Sequence, residues 1–76
     1  MQLDQVRSQF EAAGHRVSIR DDVSESAAAW FLDCQPKTLA NWRALRKGPL
    51  YVRLPSGVRY PIHGLFLFLE SIMRAA

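Results

Sequence analysis

Apolar residues recur at helical spacing at the start of the chain, at Leu3, Val6, Phe10 and Ala13, and Gly14 stands where a glycine ends a helix. The period then shortens. His15 to Arg20 alternates polar and apolar through Val17 and Ile19, the pattern of a short strand or an extended linker. Ser24 is an N-cap for a second helix running to about Leu32, with Asp21 and Asp22 just before it. Asp33–Cys34–Gln35 is only a turn. Pro36 suits the first position of a third helix, with Gln35 as a mediocre cap, and that helix is predicted to end near Arg46, before Gly48–Pro49. Tyr51 to Leu54 and Val58 to Tyr60 are β-prone runs around Pro55–Ser56–Gly57, which predicts a hairpin carrying Arg53 and Arg59 at or near the base of its tip. Pro61 then opens a last helix through Leu65, Phe68, Leu69 and Ile72, weakened in its first turn by Gly64. The expected order is helix, short strand, helix, turn, helix, hairpin, helix.

Composition narrows what such a chain does. Its 76 residues make one small domain, 49% apolar and 22% charged, a globular composition. A chain of this size buries only about 60–65% of its unfolded surface, too little to wall a large catalytic cleft. One cysteine, Cys34, and two histidines, His15 and His63, supply neither a disulfide framework nor a metal-ligand cluster, so no metal or cofactor is expected. Cys34 reads as a partly buried structural thiol, and His63 as an ordinary surface histidine. There is no Ser/His/Asp set, glycine-rich phosphate loop or carboxylate pair in a suitable context, so the chain does not read as an enzyme. The start of the chain lacks the charge and apolar pattern of a signal peptide. The longest apolar run, Leu65 to Leu69, is five residues, against roughly 18–20 for a membrane span. A soluble protein of a reducing compartment with no membrane partner is the expectation.

Charge position changes the picture more than charge sum. Residues 1–35 carry three bases and six acids, a net −3, whereas residues 36–76 carry seven bases and the single acid Glu70, a net +6. Between Pro36 and Tyr60 there are six positive charges and no negative one. A polyanion would relieve that local repulsion; the alternative is a solvated basic face without a partner.

The second and third helices, joined by a three-residue turn with basic charge on the later one, describe a helix-turn-helix. At about 100° per residue, Leu39, Trp42 and the stem of Arg46 point inward, toward Ala28, Ala29 and Leu32. Lys37, Ala40, Asn41 and Ala44 point outward, with Thr38 and Arg43 on the flanks. That outer face suits a major groove: the alanines remove bulk, Lys37 offers a cation, and Asn41 has the donor–acceptor pair that grips adenine N6 and N7. Asn41 as a plain exposed polar residue is the competing reading. Trp42 reads as core rather than as a base-stacking residue.

These fragments, in order, resemble a known family. Ala28–Ala29, Leu32, Pro36–Lys37–Thr38–Leu39 and Trp42, then Gly48–Pro49–Leu50–Tyr51–Val52–Arg53, Arg59–Tyr60, and Leu65, Phe68 and Leu69 are similar to the small winged helix-turn-helix domain of phage excisionases and their relatives in the MerR superfamily. The resemblance covers Ser24 to Glu70. It implies a mainly α fold with a small β-hairpin wing, a winged helix-turn-helix over residues 24–76; residues 1–23 lie outside the resemblance and are expected to add an N-terminal helix and a short strand or linker packed on the core. Carried over by position, Lys37, Thr38, Ala40 and Asn41 would face the major groove or its bordering phosphates, and Arg53 and Arg59 would hold the wing to the backbone or minor groove. The full expected DNA-contacting set is Gln35, Lys37, Thr38, Ala40, Asn41, Arg43, Ala44, Arg46, Lys47, Arg53, Ser56 and Arg59.

The resemblance further implies double-stranded DNA as partner, in the cytoplasm and at the nucleoid of a bacterial host. The role implied is that of an excisionase, which binds and bends attachment-site DNA and directs an integrase toward excision. A small phage transcriptional regulator and the DNA-recognition module of a terminase small subunit are the alternatives. The chain departs from the family pattern in places. Ala27 stands where glutamate is common, Asp33 replaces a turn glycine, and Trp30, Phe66 and Leu67 add apolar surface. Either the N-terminal helix, through Val6 and Phe10, or a second copy of the protein would cover that surface. The expectation is a monomer that self-associates on adjacent DNA sites.

Overall fold

The computed structural model describes residues 2–75. Its elements in order are α1 (Leu3–Ala12), β1 (Asp22–Ser24), α2 (Glu25–Leu32), α3 (Pro36–Ala44), β2 (Val52–Leu54), β3 (Gly57–Pro61) and α4 (Ile62–Ala75). The result is a mainly helical domain of four helices around a three-stranded antiparallel sheet of order β1-β3-β2.

The first three helices end with the same closure. After α1 the His15 N–H donates to the Phe10 carbonyl at 2.9 Å and the Gly14 N–H to Glu11 at 3.0 Å, with Gly14 at φ +89°. After α2, Cys34 donates to Ala29 (2.9 Å) around Asp33 at φ 56°; after α3, Lys47 donates to Trp42 (2.9 Å) around Arg46 at φ 58°. This is the Schellman arrangement, which satisfies the last orphan carbonyls and needs one left-handed residue. Glycine supplies it freely only in the first case. Asp33 and Arg46 hold it against a steric cost of roughly 1–2 kcal/mol.

The polar/apolar alternation over His15 to Arg20 does not become a strand. That stretch is irregular, and the chain turns at residues 18–21, where Asp21 at φ 62° donates its N–H to the Ser18 carbonyl (3.0 Å). The strand begins at Asp22 instead. There Val23 pairs with Tyr60 and Ser24 with Arg59, so β1 adds to the hairpin as a third strand. Ser24 closes β1 and caps α2 at once, its Oγ accepting the Ala27 N–H at 3.2 Å. Pro61 ends β3 rather than opening α4. It has no N–H to give, and the bond back to the β1 side comes from the Ile62 N–H to the Asp21 carbonyl at 2.9 Å.

The core comprises Phe10, Val23, Ala27, Ala28, Ala29, Leu39, Tyr60, Ile62 and Leu65, all buried. The three consecutive alanines let β1, β3 and α3 approach α2 closely. Phe10 of α1 meets Trp30 edge-on at 5.3 Å and stacks on Phe31 at 5.7 Å, and Phe31 in turn meets Phe66 at 5.0 Å. The N-terminal helix thus covers part of the surplus apolar surface. Trp30 stays 47% exposed and Leu67 51%. Trp42 is half-buried rather than core: its ring lies 5.4 Å from Phe68, and Gly48, at φ +96°, passes so close that a Cβ there would sit 2.9 Å from the Trp42 Cβ. Among the described residues no helix is long and apolar enough to cross a membrane.

Candidate nucleic-acid interface

α3 is short, carries proline at its first position and puts Leu39 into the core, so its remaining faces are set by helical geometry. Lys37, Asn41 and Ala44 are exposed along its length; Thr38 and Ala40 are half-buried beside them, and Gln35 is exposed just ahead of the helix. The outward stripe expected from the wheel is present in space. Arg46 differs from its expected place. The helix stops at Ala44, so Arg46 lies beyond it, exposed and left-handed, not on the inner face.

Arg46 and Lys47 border an open cleft of about 600 Å³ completed by Gly48, Pro49, Leu50 and Tyr51. Arg53, exposed on β2, places its guanidinium carbon 5.7 Å from the centre of the Tyr51 ring, which joins the hairpin to that cleft. Ser56 is exposed at the two-residue turn between β2 and β3. Among the described residues, no ion pair engages Lys37, Arg46, Lys47 or Arg53.

Two expected contact residues face the other way. Arg43 forms an ion pair with Glu25 and donates to the Tyr60 hydroxyl at 2.8 Å, leaving its side chain only 18% exposed. Arg59 donates through Nε to Asp22 Oδ1 at 2.9 Å and through Nη2 to the Asp22 carbonyl at 3.0 Å. Both guanidiniums are held inside the fold, because β1 and the first turn of α2 bring carboxylates against β3 and α3. Asp21 instead pairs with Arg7, inside the acidic first half. Through Asp22–Arg59 and Glu25–Arg43 the acidic first half neutralises part of the basic second half, and between Pro36 and Tyr60 the exposed cations shrink to Lys37, Arg46, Lys47 and Arg53.

Asp22 is the hub of this pairing. It is buried, and it accepts from Ser18 Oγ at 2.7 Å and Arg20 Nε at 3.0 Å as well as from Arg59. Burial pushes its carboxyl up, but the hydrogen bonds from Ser18, Arg59 and Arg20 together outweigh that and hold it below its ordinary value. Burial pushes the Tyr60 hydroxyl up, only partly offset by Arg43, so it keeps its proton and donates to Glu25 Oε2 at 3.1 Å. Burial and then the Asp33 charge push the Cys34 thiol up, which makes it a poor nucleophile.

Sequence reasoning missed Tyr51, Asp22 and Glu25. The signal for the two acids was present, in the acids crowded at residues 21–25 opposite a surplus of arginines. Tyr51 carried none beyond its β-prone neighbours. No group of three or more metal-binding side chains occurs among the described residues. Comparison of the chain with protein-family models, with curated proteins and with solved structures found no match in any of the three.

Proposed function

We propose that this chain is a sequence-specific binder of double-stranded DNA, a winged helix-turn-helix in which α3 enters the major groove and the β2–β3 hairpin is the wing. The observation that carries the reading is the distribution of unpaired charge. After the internal ion pairs are formed, four exposed cations remain on α3, its following loop and β2, and the whole stretch from Pro36 to Tyr60 holds no acid. Lys37 and Asn41 lie one helical turn apart on the exposed side of α3, a spacing suited to a groove. Arg46, Lys47 and Arg53 are suited to phosphates. Together with the family resemblance, these features favour an excisionase-type role, in which the protein binds and bends attachment-site DNA beside an integrase. A promoter-bound regulator uses the same contacts. Protection of direct repeats in an attachment site supports the first role, and protection of an inverted pair over a promoter supports the second.

Four exposed cations set the salt dependence. Log K against log salt should fall with a slope near −3 to −4 on random duplex, about −0.9 per neutralised phosphate. Fluorescence anisotropy across a salt series reads it. A slope shallower than about −1 means the cations face only solvent and removes DNA as the partner.

Base reading and backbone grip should separate by substitution. Asn41→Ala is expected to cost about 1–3 kcal/mol on a duplex selected from a random pool and little on random DNA. Arg53→Ala should weaken both by a similar factor. Arg59→Ala belongs with neither, since its guanidinium is spent on Asp22. Equal losses on both duplexes for Asn41→Ala would take that residue off the reading face.

A further inference from the structure

Arg43 joins α3 to the rest of the fold more firmly than a surface arginine does. Its Nη1 donates to the Tyr60 hydroxyl at 2.8 Å, that hydroxyl donates to Glu25 Oε2 at 3.1 Å, and Arg43 pairs with Glu25 directly. The guanidinium also lies 5.8 Å from the centre of the Tyr51 ring, whose other cation is Arg53 at 5.7 Å. Glu25 thus stands at the head of a chain that runs from α2 through α3 to both strands of the hairpin side. Among the described residues, the bond from Arg43 to Tyr60 is the one side-chain hydrogen bond between α3 and the hairpin.

We infer that Glu25 is a positioning residue for DNA: it holds Arg43 on Tyr60 and Tyr51 and so fixes how α3 stands against the hairpin. This rests on the reading of α3 and the hairpin as the two DNA-contacting elements. A duplex engages both only when their separation and angle match its groove geometry. Specific binding needs that match, whereas loose phosphate contact does not. Glu25 also keeps Arg43 out of solvent, because a guanidinium 18% exposed beside a carboxylate has little reason to leave it. Without the carboxylate, Arg43 joins Lys37, Arg46, Lys47 and Arg53 as a free cation of the proposed interface, which strengthens indiscriminate binding while the fixed geometry is lost.

The test uses the full chain, a random duplex, and a duplex selected with wild-type protein from a randomised pool. Glu25→Gln keeps the size of the side chain and an acceptor for Tyr60, and removes the charge. It is expected to lower the ratio of selected to random affinity about tenfold, a change of the size found for residues coupled in one network. The salt slope on random DNA should steepen by about one unit as Arg43 joins the phosphate contacts. Tyr60→Phe, which keeps the buried ring, should lower the ratio in the same direction by a smaller factor; it carries the test if circular dichroism shows Glu25→Gln to be unfolded. An unchanged ratio in these variants, or a parallel loss on both duplexes, overturns the inference while leaving DNA binding intact. Failure of the wild-type chain to bind either duplex overturns the functional reading itself.

Discussion

Asp22→Asn is expected to destabilise the domain by about 3 kcal/mol, the lower part of the range for breaking a buried ion pair. The side chain is 4% exposed and meets Arg59, itself 23% exposed, as well as Arg20 and Ser18. Asparagine keeps the shape but leaves the Arg59 guanidinium without its charge partner at the edge where β1 joins β3. A domain of 76 residues has a total stability of roughly 4–11 kcal/mol, so the loss is a large fraction of it. Urea unfolding read by circular dichroism measures the effect. A cost under about 1 kcal/mol would mean that β1 docks on β3 without help from the ion pair.

The same carboxylate sets an acid limit. Its folded pKa lies below the unfolded one, so the stability it contributes is present above the unfolded pKa and is lost as pH falls through the folded value. Wild-type stability should therefore drop below about pH 4, and the Asp22→Asn variant should show a flatter profile there. Parallel profiles for the two proteins would place the acid sensitivity elsewhere.

Phe10→Ala is expected to cost about 3–5 kcal/mol, the transfer free energy of the ring plus the cavity it leaves. Phe10 is fully buried and holds α1 to α2 through Trp30 and Phe31. Those aromatic pairs contribute beyond the buried area. If α1 is part of one cooperative unit, the urea midpoint falls and the whole domain unfolds together. If α1 is only appended, it detaches first: Trp30 fluorescence, read in a Trp42→Phe background, shifts to the red well before the helical signal of the remainder is lost. The second outcome would confine the effect of the substitution to the N-terminal segment.

Much of the fold was written locally. Leu3, Val6 and Phe10 at helical spacing before Gly14, Ser24 as a cap, Pro36 at a first helical turn, and two β-prone runs around Pro55–Ser56–Gly57 each dictate an element through backbone sterics and capping chemistry, which act over a few residues. The exposed stripe of Lys37, Asn41 and Ala44 was legible for the same reason, since helical periodicity and one buried Leu39 fix it. The end of α3 and the start of α4 were each misplaced by one or two residues, the usual reach of end effects.

The order of elements, the surplus of cations after Pro36 and the outward face of α3 thus follow from local chemistry along the chain. Which cations remain free depends instead on packing in three dimensions. Sequence separation hides the pairs Glu25–Arg43 and Asp22–Arg59, because they form only once β1 has joined β3 and α2 lies against α3. Charge counted along a chain is a one-dimensional quantity, whereas an ion pair needs its partners within about 4 Å. The fold turns Arg43 and Arg59 inward and leaves Lys37, Arg46, Lys47 and Arg53 facing solvent, and that sorting gives the basic half of the chain its usable surface.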